Sequence, residues 1–302
     1  SRTHYHSLRK SIMPELPEVQ TTVKILKKKI KNLKILDVWT DYNSPFHKGK
    51  NNIKNRKYFF SFKKEIIGKR IIGAERRAKN VLINVSGNDA KGRPDKTILV
   101  HMKMTGHLLY GKYSFNGKKW LPPNDKYLSD PFNRFIHLAF KLSNGNTLVL
   151  SDTRKFAKVF VFDTKKISDV SDLKKLGPEP LDKRFTYKIF VEKLYKKPNG
   201  KIKTVIMDQE IISGIGNIYS DEVLWLSNIH PMRLVKNISD KKLKTLYKNV
   251  IKVLRESISV GGDSMSDYRN PEGKKGGYQN IHKVYRQTGN ICKKKNCKGI
   301  IK

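Results

Sequence analysis

The stretch MPELPEVQTT, residues 13–22, decides how the rest of the chain is interpreted. Pro17 stands where a helix would begin, because proline is favoured at the first helical position. Apolar residues then recur at helical spacing, at Val19, Val23, Leu26, Ile30 and Leu33. The pattern predicts a first helix whose apolar face anchors the preceding residues to a hydrophobic core.

Pro14 gives this stretch a chemical role as well. At a chain terminus its nitrogen would be a secondary amine, and an α-amino group titrates near pH ~7.7–8.0. Such an amine can attack an electrophilic carbon and form an imine, and the carboxyl group of Glu15 is close enough to act as an acid at the same centre. From these residues alone, a stiff lead-in to a helix is the better interpretation.

The whole decamer closely resembles the start of the formamidopyrimidine-DNA glycosylases, bacterial-type enzymes that excise oxidised purines. In that family the proline after the initiator Met is the nucleophile, so the resemblance implies that Pro14 is the nucleophile and Glu15 the acid. Residues 1–13 are expected to be an extension outside the fold. While Pro14 is bonded to Met13 its nitrogen is a tertiary amide, so we expect the chain to be inert until the extension is removed.

The composition indicates a polyanionic partner. Lys and Arg number 64 against 26 acidic residues, a net charge of +38, which favours nucleic acid; a generally Lys-rich proteome would explain part of the excess. We find no membrane span and no signal peptide. We therefore expect a monomer that is not secreted, and that is cytoplasmic and nucleoid-associated if the source is bacterial.

Short apolar segments rich in β-branched residues predict strands after the first helix. They are ILDVW (35–39), KYFFSF (57–62), KRIIGAERR (69–77), VLINV (81–85), TILVHMKM (97–104) and AKVFVFD (157–163). Residues 135–152 predict a hairpin around an Asn-Gly turn. We expect an α+β fold in which residues 14–165 form an N-terminal β-sandwich domain behind the leading α-helix, with insertions near 86–96 and 111–133.

Three motifs in this half match the family. Lys79 in ERRAKN looks like a solvated strand end by itself, but the family's lysine contacts phosphate and assists the chemistry. Met104 in HMKMTGHL is core filler by itself, whereas the family's methionine enters the gap left by an extruded nucleotide. Arg154 and Phe156 in DTRKFAK match an arginine that bonds the orphaned cytosine and a phenylalanine wedge. A DNA-contacting histidine of many relatives is replaced by Phe135.

The second half predicts helices. A linker (166–183) containing LGPEPL leads to a helical DNA-binding domain (184–280), with helices over 185–197 and after Ser239. The turn GIGN opens a further helix whose free N–H groups can receive a phosphate. MDQEIISGIGNIYSDE resembles the family's helix-two-turn-helix, which implies phosphate contacts for Asn217 and Lys203 and a structural or lesion-side contact for Glu222.

The last two segments carry predictions that rest on the resemblance. Residues 261–279, here named the capping loop, have the composition of a mobile loop, and in the family this region closes over the flipped base. Ser264, Tyr268 and Arg269 are the candidate capping residues, and disorder without bound lesion is an equal expectation. Residues 281–302 resemble part of a zinc-finger hairpin.

The two cysteines, Cys292 and Cys297, are half of a four-cysteine zinc site. By themselves they are better explained as two free thiols. The resemblance implies a structural Zn²⁺ in the full-length protein, whose other two ligands would lie beyond Lys302. We therefore expect a truncated zinc-finger hairpin that binds zinc weakly or not at all.

Taken together, the resemblance implies a bifunctional DNA glycosylase and abasic-site lyase of base excision repair. Its expected partner is double-stranded DNA containing 8-oxoguanine, formamidopyrimidines or abasic sites. Relatives of the endonuclease VIII type, which act on oxidised pyrimidines, usually begin PEGPE and lack the Arg-x-Phe wedge, so Leu16, Arg154 and Phe156 favour the purine enzyme. A non-catalytic damaged-DNA-binding protein and a basic RNA-associated protein are the alternatives from other classes.

Overall fold

The computed structural model describes residues 13–86 and 95–302 and has the predicted α+β architecture. The predicted extension (apart from Met13) and most of the predicted loop near 86–96 lie outside the described residues. The helices are α1 (Leu16–Lys29), α2 (Arg56–Ile66), α3 (Ser171–Lys174), α4 (Tyr187–Leu194), α5 (Ile202–Met207), α6 (Asn217–Leu226) and α7 (Asp240–Ser259). The strands are β1 (Ile35–Thr40), β2 (Arg70–Arg77), β3 (Asn80–Ser86), β4 (Lys96–His101), β5 (His107–Gly111), β6 (Ser114–Phe115), β7 (Trp120–Leu121), β8 (Ile136–Leu142), β9 (Thr147–Ser151) and β10 (Lys158–Asp163).

Two antiparallel four-stranded sheets form the first half, with strand orders β1-β8-β9-β5 and β10-β4-β3-β2. The predicted Asn-Gly hairpin is present between β8 and β9. The predicted strand over 97–104 ends at His101, and the chain turns there before β5. The predicted insertion near 111–133 contains the small β6-β7 hairpin, which covers an aromatic cluster on the outer face of one sheet.

The segment 57–62 was wrongly predicted to be a strand, because it lies inside α2. The Asn55 side chain accepts a hydrogen bond from the Lys57 N–H and caps the helix. Phe62 and Ile66 are buried four residues apart in the core between the sheets. Aromatic residues in a short run favour strands, but the helical spacing of the buried side chains and the asparagine cap decide the local structure here.

The second half has its own core, built by α4 to α7 and the segments between them. Leu16, the first residue of α1, is buried in this second core, whereas Val19 and Val23 of the same helix are buried in the first. One helix therefore joins the two cores, and the residues just before it lie where the halves meet. The described part of the chain contains no helix long and apolar enough to cross a membrane.

Candidate active site

The start of the described chain is fixed at the junction of the two halves. The Leu16 N–H donates to the Gly214 carbonyl at 3.0 Å. Gly214 has φ +92°, and a Cβ there would lie 2.7 Å from the Leu16 Cβ, so the position requires glycine. Pro14 itself is buried. The turn before α6 thus holds Pro14 and Glu15 between the halves.

The carboxyl group of Glu15 caps α6 from the other half of the chain. It accepts hydrogen bonds from the Gly216 N–H at 2.5 Å and from the Ile218 N–H at 2.9 Å. The N–H groups of Gly216 and Ile218 in the GIGN turn were therefore wrongly interpreted as free to receive a phosphate, because they donate to Glu15. Burial raises the pKa of Glu15 above its ordinary value, although Lys79 and these N–H groups act to lower it.

A second buried carboxyl group, that of Glu18, supports the first. Its Oε2 accepts from the Glu15 N–H at 2.9 Å, and its Oε1 accepts from the Asp263 N–H at 2.6 Å and from the Tyr219 hydroxyl. Burial raises the pKa of Glu18 to about 8. Glu18 thus connects the backbone beside Pro14 to α6 and to the capping loop, and the sequence analysis had not singled it out.

Lys79 lies at the turn between β2 and β3, next to Ala78 at φ +53°. It is 5% exposed, although lysine is almost never buried without a partner. Burial lowers the pKa of Lys79, while the negative charges of Glu15 and Glu18 act to raise it. The charge of Lys79 therefore interacts with those of Glu15 and Glu18, the two buried carboxyl groups next to the Pro14 segment.

The arginines before Lys79 bind the linker between the halves. Arg76 and Arg77 pair with Glu179 at 2.6 and 3.0 Å, and the Ala78 N–H donates to the same carboxylate. Arg77 also donates to the carbonyls of residues 176 and 177 at 2.8 and 2.9 Å. These contacts fix the Lys79 turn against the second half.

The two loops that carry the candidate void-filling residues are tied together by Asp152. This fully buried carboxylate accepts from the Thr105 hydroxyl beside Met104, from the Arg154 N–H at 3.3 Å and from the Ala157 N–H at 2.8 Å. Phe156 is 51% exposed, and the Arg154 guanidinium lies 5.3 Å from its ring centroid. Phe135, where many relatives have histidine, is also exposed.

The candidate phosphate contacts differ in their surroundings. Asn217 is exposed at the start of α6. Lys203 is 2.7 Å from Asp221, so its ammonium group already has an acidic partner. Glu222 is buried and accepts hydrogen bonds from the N–H groups of residues 283–285. For Glu222 this geometry supports the structural role over a lesion-side contact.

The capping loop is packed against both halves, in contrast to the expectation of disorder. Ser264, Tyr268 and Arg269 are all buried. Ser264 accepts from the Gly276 N–H at 2.8 Å within the loop. Tyr268 donates to the Glu18 carbonyl at 2.8 Å, which brings the loop to the group beside Pro14.

Comparison with known proteins places this arrangement in a family. A family model described as the formamidopyrimidine-DNA glycosylase N-terminal domain matches residues 13–159. A second, described as the formamidopyrimidine-DNA glycosylase H2TH domain, matches residues 176–269. The chain belongs to the formamidopyrimidine-DNA glycosylase family.

Individual members of the family resemble the chain over nearly its whole length. A Streptococcus agalactiae formamidopyrimidine-DNA glycosylase is 34% identical over 94% of this chain and 92% of its own. A Pelotomaculum thermopropionicum formamidopyrimidine-DNA glycosylase is 32% identical over 93% and 90%. The solved complex of the Lactococcus lactis Fpg with DNA containing an abasic site has 31% identity and a TM-score of 0.75, over 95% of this chain and 92% of that one.

The cysteines of this family member do not complete a metal site. The family is generally zinc-binding, and a structural zinc takes four ligands. Cys292 and Cys297 lie on a short turn closed by a bridge between Ile291 and Ile300. Within residues 13–86 and 95–302, no group of three His, Cys, Asp or Glu side chains could hold a metal ion. The donors described here therefore do not fit a tetrahedral zinc.

Proposed function

We propose that this member of the glycosylase family excises oxidised purines from duplex DNA and then cleaves the strand at the resulting abasic site. The observation that carries the proposal is the buried carboxyl group of Glu15, which is held by the α6 N-terminus beside Lys79 and directly after Pro14. A proton donor, a cation and an amine at one centre are the groups that imine chemistry on a sugar needs.

In the proposed reaction the amine of Pro14 forms a bond to C1′ of an extruded nucleotide. The N-glycosidic bond breaks, and the leaving base takes up the proton that the Pro14 nitrogen loses. Glu15 then protonates the ring oxygen as the C1′–O4′ bond breaks and the nitrogen lone pair forms the C=N bond, so that an iminium ion remains. The iminium acidifies the C2′ proton, and its loss expels the 3′ phosphate; a second elimination expels the 5′ phosphate. The raised pKa of Glu15 suits a proton donor, and we assign Lys79 to assisting these steps.

An enzyme cannot attack a base inside the stack, so the nucleotide must be extruded, and the vacancy that it leaves in the duplex must be filled. We propose that Met104, Arg154 and Phe156 fill it. In support, Asp152 joins the two loops into one unit, and the Phe156 ring beside Arg154 is 51% exposed. We assign Arg154 to the orphaned cytosine, because a guanidinium is a donor without an acceptor and cytosine offers acceptors on its pairing edge.

We assign the contacts to the DNA phosphates to Asn217 and Lys203. Lys203 exchanges Asp221 for a phosphate when DNA binds. Ser264, Tyr268 and Arg269 are proposed to hold the capping loop on the lesion side.

For zinc, we propose that this chain binds the ion weakly or not at all, because Cys292 and Cys297 supply only half of a ligand set. Stoichiometric zinc in the dialysed protein, measured by elemental analysis, would contradict that assignment.

An excision assay tests the substrate class. Protein that begins at Pro14 is incubated with duplexes carrying 8-oxoguanine opposite cytosine, thymine glycol or no lesion, and released base and cut strand are measured. We expect 8-oxoguanine release and cutting on both sides of the lesion. Preferential release of thymine glycol would assign the chain to the endonuclease VIII type, and tight binding without release would make it a damaged-DNA-binding protein.

A further inference from the structure

The capping loop contains a buried arginine that its proposed role does not explain. Arg269 is 2% exposed and is the largest fully buried side chain in the described part of the chain. Arginine is rarely buried without a partner, because removing its charge from water is costly. A buried guanidinium on a loop rich in turn residues therefore indicates a specific docking contact.

The partner of Arg269 lies in the other half of the chain. Its Nε donates to Asp130 Oδ2 at 3.2 Å, and its guanidinium lies 5.0 Å from the centroid of the Phe132 ring. Its Nη1 donates to the carbonyls of Ser266 and Tyr268, both at 2.9 Å. The same side chain thus fixes the turn of its own loop and attaches that loop to residues 125–134, which we name the docking segment.

The docking segment is itself anchored to the loops that are proposed to fill the vacancy. Asn133 is fully buried, and its Oδ1 is the acceptor in a 2.9 Å contact with His107 Nε2. The other ring nitrogen, Nδ1, lies 3.3 Å from the Thr105 carbonyl. The Ser151 hydroxyl donates to the Phe132 carbonyl at 2.8 Å on the strand that leads to Asp152. The segment therefore connects the Met104 loop to the capping loop.

The capping loop meets the rest of the site at two further places. The Asp263 N–H, near one end of the loop, and the Tyr268 hydroxyl both donate to Glu18. In its middle, Asp267 accepts from the Thr153 hydroxyl at 3.0 Å, next to Arg154. The loop consequently connects Glu18, which accepts from the Glu15 N–H, to the loop that carries Arg154.

We propose that the Asp130–Arg269 pair positions the capping loop for base excision, and that the docking segment is a specificity element of this glycosylase. The inference rests on the proposed function and adds Asp130 to it as a positioning residue, the partner that holds Arg269. In this proposal the loop faces the base and not the sugar, so the pair acts on the release of an oxidised purine. A duplex that already contains an abasic site has no base at this position, so its cleavage does not depend on the pair.

The test compares Asp130→Asn with Glu272→Gln, both measured in protein that begins at Pro14. Glu272 lies on the same loop but forms an exposed pair with Lys29 at 3.2 Å, so it is a matched control. For Asp130→Asn we expect single-turnover release of 8-oxoguanine to fall about 10-fold or more, the size of a lost hydrogen bond to a charged group. Cleavage of a preformed abasic duplex should stay within about 2-fold of the parent, and the control should match the parent in both assays.

A double variant and hydrogen exchange separate positioning from loss of folding. Asp130→Asn combined with Arg269→Met should release 8-oxoguanine no more slowly than the slower single variant, because both substitutions break the same contact. Amide exchange in residues 263–274 should accelerate in Asp130→Asn, while exchange in α7 stays unchanged. Parent-like base release by Asp130→Asn, or an equal loss of abasic cleavage, would overturn the inference. Failure of the parent protein to cut abasic DNA would instead refute the proposed function.

Discussion

Gly216→Ala tests whether α6 positions the proposed acid. A Cβ at residue 216 would lie 2.5 Å from the Glu15 Cδ and 2.6 Å from its Oε1, whereas ordinary contacts begin at 3.4 Å. The carboxyl group must therefore move by about 1 Å, and its hydrogen bonds to the N–H groups of Gly216 and Ile218 are lost or lengthened. Each such bond to a charged group contributes about 1.5–3 kcal/mol.

A displacement of about 1 Å at a reacting group costs about 10²-fold in rate, and a general acid contributes roughly 10²–10⁴-fold. We therefore expect single-turnover release of 8-oxoguanine by Gly216→Ala to fall at least 10²-fold. Gly73→Ala is the matched control, because a Cβ there meets nothing within 4 Å and the backbone does not require glycine. Base release by Gly216→Ala within about 3-fold of the parent would refute the assignment of Glu15.

Three further predictions concern charge and the vacancy. Glu18→Gln should gain stability relative to the parent as pH rises from 5 to 8.5. Between the ordinary pKa of 4.5 and the folded-state pKa of about 8, the unfolded parent has lost this proton while the folded parent still holds it, so the parent loses stability as pH rises. Thermal unfolding midpoints that change with pH in parallel would contradict this. Phe156→Ala should lower the rate of base excision from duplex DNA about 10-fold, with little change in the free energy of unfolding because the ring is 51% exposed. The control Phe46→Ala, which removes an 84% exposed ring, should leave the excision rate unchanged. The affinity for undamaged duplex should fall about 10³–10⁵-fold between 50 and 200 mM salt if about six to ten phosphates are neutralised. A flat salt dependence would exclude binding to the DNA backbone. Asn217→Ala should weaken the binding of damaged and of undamaged duplex by the same factor.

Local sequence patterns were sufficient for the elements and for the family, but not for the contacts between distant segments. The decamer at 13–22 predicted both the first helix and the resemblance, because a proline start and a helical period are local signals. In contrast, the segment 57–62 was misread, since its aromatic residues favour a strand while Asn55 and the core impose a helix.

In the candidate site, too, local patterns were recognised from the sequence and contacts between distant segments were not. The GIGN turn was recognised, yet its N–H groups bind Glu15 from the other half of the chain, which no spacing within the turn reveals. The buried pair of Arg269 and Asp130 likewise joins residues 139 positions apart. The one local signal that could have identified Glu18 is the Glu-x-x-Glu spacing of a capping box at the start of α1.

Covalent trapping tests the central claim most directly. Protein that begins at Pro14 is incubated with an 8-oxoguanine duplex and sodium borohydride, which reduces an imine to a stable amine, and the adduct is digested and mapped by mass spectrometry. The account predicts one DNA adduct on the peptide that starts at Pro14, and none from protein that retains Met13. An adduct mapped to Lys79 or to another lysine, or base release without any adduct, would contradict it.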